Sequence, residues 1–125
     1  MVITRRGFTL LELLVVLAIV ATLLALSLPR YSQSVDVARE RVLVENLRTT
    51  RDAIDKFYAD TSRYPESLDE LVERRYLRAL PIDPVAESEK AWHIVPPPTD
   101  KKGQVGDIKS TAQGQTLDGK AFTEL

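Results

Sequence analysis

One carboxylate, Glu12, sits inside an apolar run that extends from Phe8 to Leu28 and is preceded by Arg5, Arg6 and Gly7. A charge within such a segment is expensive in a bilayer and is usually retained where it meets a partner. As a helix, the run is long enough to cross the roughly 30 Å hydrocarbon core. Insertion is favourable. The Leu, Ile, Phe and Val side chains contribute on the order of −4 to −8 kcal/mol, and Glu12 lies near the helix end, where a charge costs less than the roughly 2.5 to 3.5 kcal/mol it costs at the centre. Arg5 and Arg6 place Met1 in the cytoplasm and the rest of the chain across the membrane by the positive-inside rule. Taken without context, Glu12 also reads as a helix-end acid that snorkels to the headgroups or sits protonated.

No enzymatic constellation accompanies it. His93 is the only histidine and lies in the alternating segment Trp92-His93-Ile94-Val95. A metal site or a catalytic triad needs partners that this chain does not offer, so His93 reads as structural. Tyr64, Tyr76 and Trp92 read as core, and Asp83 and Asp107 as turn or surface acids rather than a catalytic pair. The chain has no cysteine, which excludes disulfides and thiolate chemistry. Its 125 residues suffice for one domain, and with 44% hydrophobic residues partly spent on the span, the remaining core is modest. The formal charge of −1 becomes −3 in side chains once Arg5 and Arg6 are removed, and nothing points to a nucleic-acid partner.

The elements that must position Glu12 follow in order. Ala18 with Thr22 and Ala21 with Ala25 are small pairs that permit close helix approach, although alanine is also simply common in membrane helices. Pro29 removes a backbone donor and is expected to kink or locally open the helix. Beyond it, Val35, Ala38 and Val42 drift into Leu43, Leu47, Thr50, Ile54 and Phe57, an amphipathic stripe. Opposite lie Arg41 with Glu45, Arg48 with Asp52, Arg51 with Asp55 and Asp52 with Lys56, each pair one turn apart. From Phe8 to Tyr58 such a helix would be roughly 75 Å long. Ser67 and Glu70 read as a capping box for a short helix with Leu68, Leu71 and Val72 inward, ending near Tyr76-Leu77. Trp92 to Val95 reads as a strand closed by Pro96-Pro97-Pro98, Val105 to Ser110 as a second, and the stretch around Ala121-Phe122 as a third.

Gly7-Phe8-Thr9-Leu10-Leu11-Glu12, followed by an unbroken apolar helix, resembles the processing site of type IV pilins and of the pseudopilins of type II secretion. The resemblance implies that a prepilin peptidase cuts between Gly7 and Phe8 on the cytoplasmic side and N-methylates Phe8. Glycine suits such a site because it leaves an extended backbone unobstructed in a protease cleft. It further implies that Glu12 is attracted to the N-terminal amine of Phe8 in a neighbouring subunit during fibre assembly, with Pro29 at the exit from the membrane. Family members often carry a glycine ahead of that proline where this chain has Ala21. The order Tyr64-Pro65, short Leu-rich helix, Leu80-Pro81 and Asp83-Pro84 is similar to the major pseudopilin.

The expected fold is therefore α+β and pilin-like, a long N-terminal transmembrane and spine helix with a small C-terminal antiparallel sheet domain. Residues 1–7 would be the cleaved leader, 8–29 the transmembrane and assembly helix, and 30–125 the periplasmic domain, with 30–58 continuing the spine and 59–125 forming the short helix and sheet. The implied function is that of a structural subunit of a bacterial type II secretion system. It would be held in the inner membrane until it joins other copies in a short periplasmic pseudopilus, with the prepilin peptidase, the inner-membrane secretion platform and minor pseudopilins as partners.

A type IV pilus subunit is the alternative within the family; many of these close a C-terminal loop with a disulfide, which this chain cannot form. Outside it stands a periplasmic binding domain released by signal peptidase, with Ala25 and Ser27 imitating the cleavage site. The length of the run, Glu12 and Pro29 argue against that reading. The resemblance also implies a calcium site in an Asp-rich loop near the C terminus. This chain keeps Asp107 and Asp118 as candidate ligands, but the stretch from Ser110 to Leu117 has no acid, so no cofactor and little or no calcium binding are expected.

Overall fold

The computed structural model describes residues 7–125; Arg5 and Arg6 of the basic leader lie outside the described residues. Helix α1 runs from Leu10–Thr61, helix α2 from Leu68–Glu73, strand β1 from Trp92–Val95 and strand β2 from Asp107–Ser110, followed by a 3₁₀ turn at Phe122–Glu124. The contacts divide the chain into two units, one up to Asp36 and one spanning Val37–Leu125. The architecture is α+β, with a long apolar N-terminal helix and a two-stranded antiparallel sheet.

In the first unit every large apolar side chain from Phe8 to Leu28 is exposed. A helix that is apolar all round and, among the described residues, left uncovered is suited to lipid, and α1 is long and apolar enough to cross a membrane. The helix is unbroken through Pro29, so the expected local opening there is not found. Thr22 and Ser27 turn their hydroxyls back onto the carbonyls of Ala18 and Leu23, both at 2.8 Å, which satisfies these side chains inside the apolar stretch.

In the second unit the stripe of α1 is buried at Leu43, Leu47, Thr50, Ala53, Ile54 and Phe57. The burial starts later than the periodicity suggests, because Ala38 and Val42 are exposed. Leu71, Leu77, Trp92, Val105 and Ile108 close the core, with Leu68, Val72 and Phe122 packed against it. Helix α2 opens at Ser67, whose hydroxyl accepts from the Glu70 N–H. It ends earlier than Tyr76-Leu77, because Arg75 adopts φ 65° and the chain reverses there. The Arg75 N–H donates to the Val72 carbonyl at 3.1 Å and the Tyr76 N–H to the Leu71 carbonyl at 2.8 Å, the paired bonds of a Schellman close.

β1 and β2 pair antiparallel, with Trp92 opposite Ser110 and Val95 opposite Asp107. β2 begins at Asp107 rather than Val105, since β1 runs out into prolines without donors and the Val105 N–H bonds instead to the Pro65 carbonyl at 2.9 Å. The loop there is closely packed: a Cβ on Gly103, which has φ +111°, would lie 2.2 Å from the Tyr64 carbonyl oxygen. The expected third strand is absent among the described residues. Ala121 makes one isolated bridge to Gln115, and the chain then turns into the 3₁₀ segment. That turn brings Phe122 and Leu125 against the core, which an extended edge strand continuing from Ala121 would not do.

Candidate functional site

Gly7 and Phe8 lie just ahead of α1 and are exposed, Phe8 at 88%. A Cβ on Gly7 would meet nothing within 4 Å, so packing inside this chain does not demand glycine at that position. Thr9 caps the helix. Its carbonyl takes the first helical bond from the Leu13 N–H at 3.2 Å, and its Oγ1 accepts from the Glu12 N–H at 3.1 Å. Glu12 answers by accepting the Thr9 N–H on Oε2 at 3.0 Å. This reciprocal pair is a capping box, and it gives the carboxylate a local partner at the positive end of the helix dipole. The signal was present in the sequence as Thr9-x-x-Glu12, the same pattern as Ser67-x-x-Glu70, but the apolar setting of Glu12 draws attention to its cost instead. Glu12 forms no ion pair with any other described residue. The carboxylate therefore lies one helical turn from Phe8. Pro29 lies farther along the same helix, in its exposed part.

The expected charge pairs along the outer face of α1 do not form among the described residues. Arg51 instead reaches across the domain. Its Nε donates to Asp107 Oδ1 at 2.8 Å, and its Nη2 donates to the carbonyls of Ile108 at 3.0 Å and Leu125 at 2.8 Å. Sequence spacing offers no sign of this, since its acceptors lie far along the chain. Asp118 is exposed in the turn closed by the Gly119 N–H on the Thr116 carbonyl at 2.9 Å. No three Asp, Glu, His or Cys side chains converge on a metal position among the described residues. Asp107, already held by Arg51, and the exposed Asp118 thus do not fit the several-carboxylate ligand set of a calcium ion.

Of the other singled-out residues, the aromatics pack in or against the core and His93 does not. His93 is exposed on β1 opposite Lys109. Trp92 is buried and donates its indole N–H to the Pro81 carbonyl at 2.8 Å. Tyr76 stacks edge-on against Phe57, with ring centroids 5.3 Å apart. Its hydroxyl donates to Asp60 at 2.6 Å, a bond that, with partial burial, raises the phenol pKa. Tyr64 stands 4.7 Å from Tyr58, ring to ring.

Asp83 was expected in a turn or at the surface; it is in a turn, but fully buried. Its Oδ1 accepts the N–H groups of Val85 at 2.9 Å and Ala86 at 3.0 Å, and its Oδ2 accepts the Ser110 hydroxyl. The Leu80-Pro81-Ile82-Asp83-Pro84 loop is thereby fastened to β2. At the end of α1, Arg63 grips Glu70 through two nitrogens at 2.8 and 3.1 Å. That bond, helped by the Glu66 N–H, holds the Glu70 carboxyl below the ordinary glutamate range against the opposing pull of burial.

Comparison with known proteins bears on the N-terminal arrangement first. The prokaryotic N-terminal methylation motif matches residues 4–28. The chain is 30% identical to the type II secretion system core protein G of Klebsiella michiganensis, over 90% of this chain and 84% of that protein. It is 30% identical to the core protein G of Aeromonas hydrophila, over 96% and 88% respectively. Against the Klebsiella pneumoniae core protein G the identity is 34% over 64% of this chain and 69% of that protein. No solved structure gives a significant match.

Proposed function

This chain belongs to the type II secretion system core protein G family, and we propose that its first helix is both its single membrane anchor and the part through which copies join into a short periplasmic pseudopilus. The subunit is structural, not catalytic. The observation that carries the reading is the disposition of three residues at one helix start. Gly7 and Phe8 are exposed, with no packing role for the glycine, and Glu12 stands one turn inside α1. A peptidase that cuts after Gly7 leaves a new amine on Phe8. N-methylation keeps that amine cationic at neutral pH, and in a fibre the charge is attracted to the Glu12 carboxylate of a neighbouring copy, in a low-dielectric setting where such a pair is stronger than in water.

Residues 1–7 form the leader, 8–29 the membrane segment and 30–125 the periplasmic domain. The N terminus faces the cytoplasm, and the partners are the prepilin peptidase, the inner-membrane platform and minor pseudopilins. Deleting the chromosomal copy in its host tests this reading. Export of type II substrates should stop and return with a plasmid-borne wild-type copy. Intact export together with loss of surface pili would assign the chain to a type IV pilus instead.

A further inference from the structure

We propose that the Arg51 guanidinium is the resident cation of the C-terminal loop region, tying together three oxygens from separate segments and so making the domain's stability independent of calcium. The three oxygens are Asp107 Oδ1 and the main-chain oxygens of Ile108 and Leu125. Three oxygens, one of them from a side-chain carboxylate, fall short of the roughly six to eight that calcium takes. Here all three oxygens already accept from one side chain, whose planar fork of donors holds them at fixed angles. Asp107 is fixed from a second side as well, because the same Oδ1 accepts the Ile108 N–H at 2.7 Å.

The cation is delivered by α1 from a position with Thr50 and Ala53 buried on either side, so its place is set by the core. It joins three segments distant in sequence, the spine helix, β2 and the chain after the 3₁₀ turn. A diffusible ion would stabilise these segments only where its concentration exceeds its Kd, and then with the logarithm of that ratio, whereas a covalently attached cation is always present.

Thermal unfolding of the full-length protein in detergent micelles tests this, followed by the fluorescence of Trp92, the sole tryptophan. Wild type, Arg51→Gln, Arg51→Lys and Asp107→Asn are compared in millimolar calcium and in chelator. Wild type should melt at the same temperature in both media, and Arg51→Gln should melt roughly 5 to 15 °C lower. Arg51→Lys should recover only part of the loss, since an ammonium cannot present the fork. Should Arg51→Gln fail to fold, Asp107→Asn carries the same expectation at smaller amplitude. A wild-type rise of many degrees in calcium, or an Arg51→Gln protein that melts with wild type, overturns the proposal.

Discussion

Thr9 and Glu12 cap the first turn of α1 for each other, each accepting the other's backbone N–H, at 3.0 and 3.1 Å. The carboxylate in the apolar segment is therefore not idle before assembly; it stabilises the helix start and lies within a turn of Phe8. The proposed contact with a neighbour's amine would give the same side chain a second role, and substitutions can part the two. Glu12→Gln keeps a carbonyl oxygen for the Thr9 N–H but removes the charge, whereas Thr9→Ala removes a cap worth about 1 kcal/mol and leaves the charge. Glu12→Gln and Glu12→Leu should stay in the membrane and be cleaved yet form no fibres, while Thr9→Ala should retain the charge-dependent contact. Fractionation and electron microscopy of overproduced fibres check this; normal fibre yield from Glu12→Gln would leave Glu12 with the cap alone.

Asp83 is the most heavily used polar side chain in the core. Replacing it by Ala strands the buried Ser110 hydroxyl and two half-buried backbone N–H groups, at a cost of about 2 kcal/mol or more, since a fully buried group left unpaired costs roughly 1–3 kcal/mol. Asp83→Asn keeps its shape and should lose less. Denaturant unfolding of the two variants beside wild type gives the order; an Asp83→Ala protein as stable as wild type would remove Asp83 from the account of the loop.

The buried stripe from Leu43 to Phe57 is legible in the sequence because helical periodicity in apolar residues reports the core directly. Strand β1 is legible for the analogous reason, ending in three prolines. Asp83 and Arg51 are not, because their partners come from segments brought near only by the tertiary fold. The close of α2 is hidden as well, since the left-handed position is filled by Arg75 where glycine would have announced it. At Ala121 the strand propensity is overridden by the packing of Phe122 and Leu125. In the N-terminal site, Gly7, Phe8 and Glu12 stand out through their resemblance to the prepilin motif, and the methylation-motif match covers all three; the Thr9-x-x-Glu12 cap is written in the sequence too, but the apolar setting of Glu12 masks it.

Glu70 supplies a pH dependence. Its folded carboxyl titrates below the ordinary glutamate range, chiefly because Arg63 donates to it. The stability it contributes is therefore fully present above the unfolded glutamate pKa of about 4.3 and is lost as pH falls through the lower folded value. Wild type should show a falling melting temperature as pH drops below about 4.5, and Glu70→Gln a lower plateau with a shallower fall. Parallel curves for the two proteins would mean that the Arg63 pair contributes nothing to stability.

The central claim is that this chain is a processed pseudopilin whose working N terminus is Phe8. Intact-mass measurement of the protein purified from membranes of a host with an active prepilin peptidase tests it most directly. The account predicts a single mature species that begins at Phe8 and carries one added methyl group on its amine. A species beginning at Leu28, or an unprocessed chain still carrying Met1 to Gly7, would contradict it.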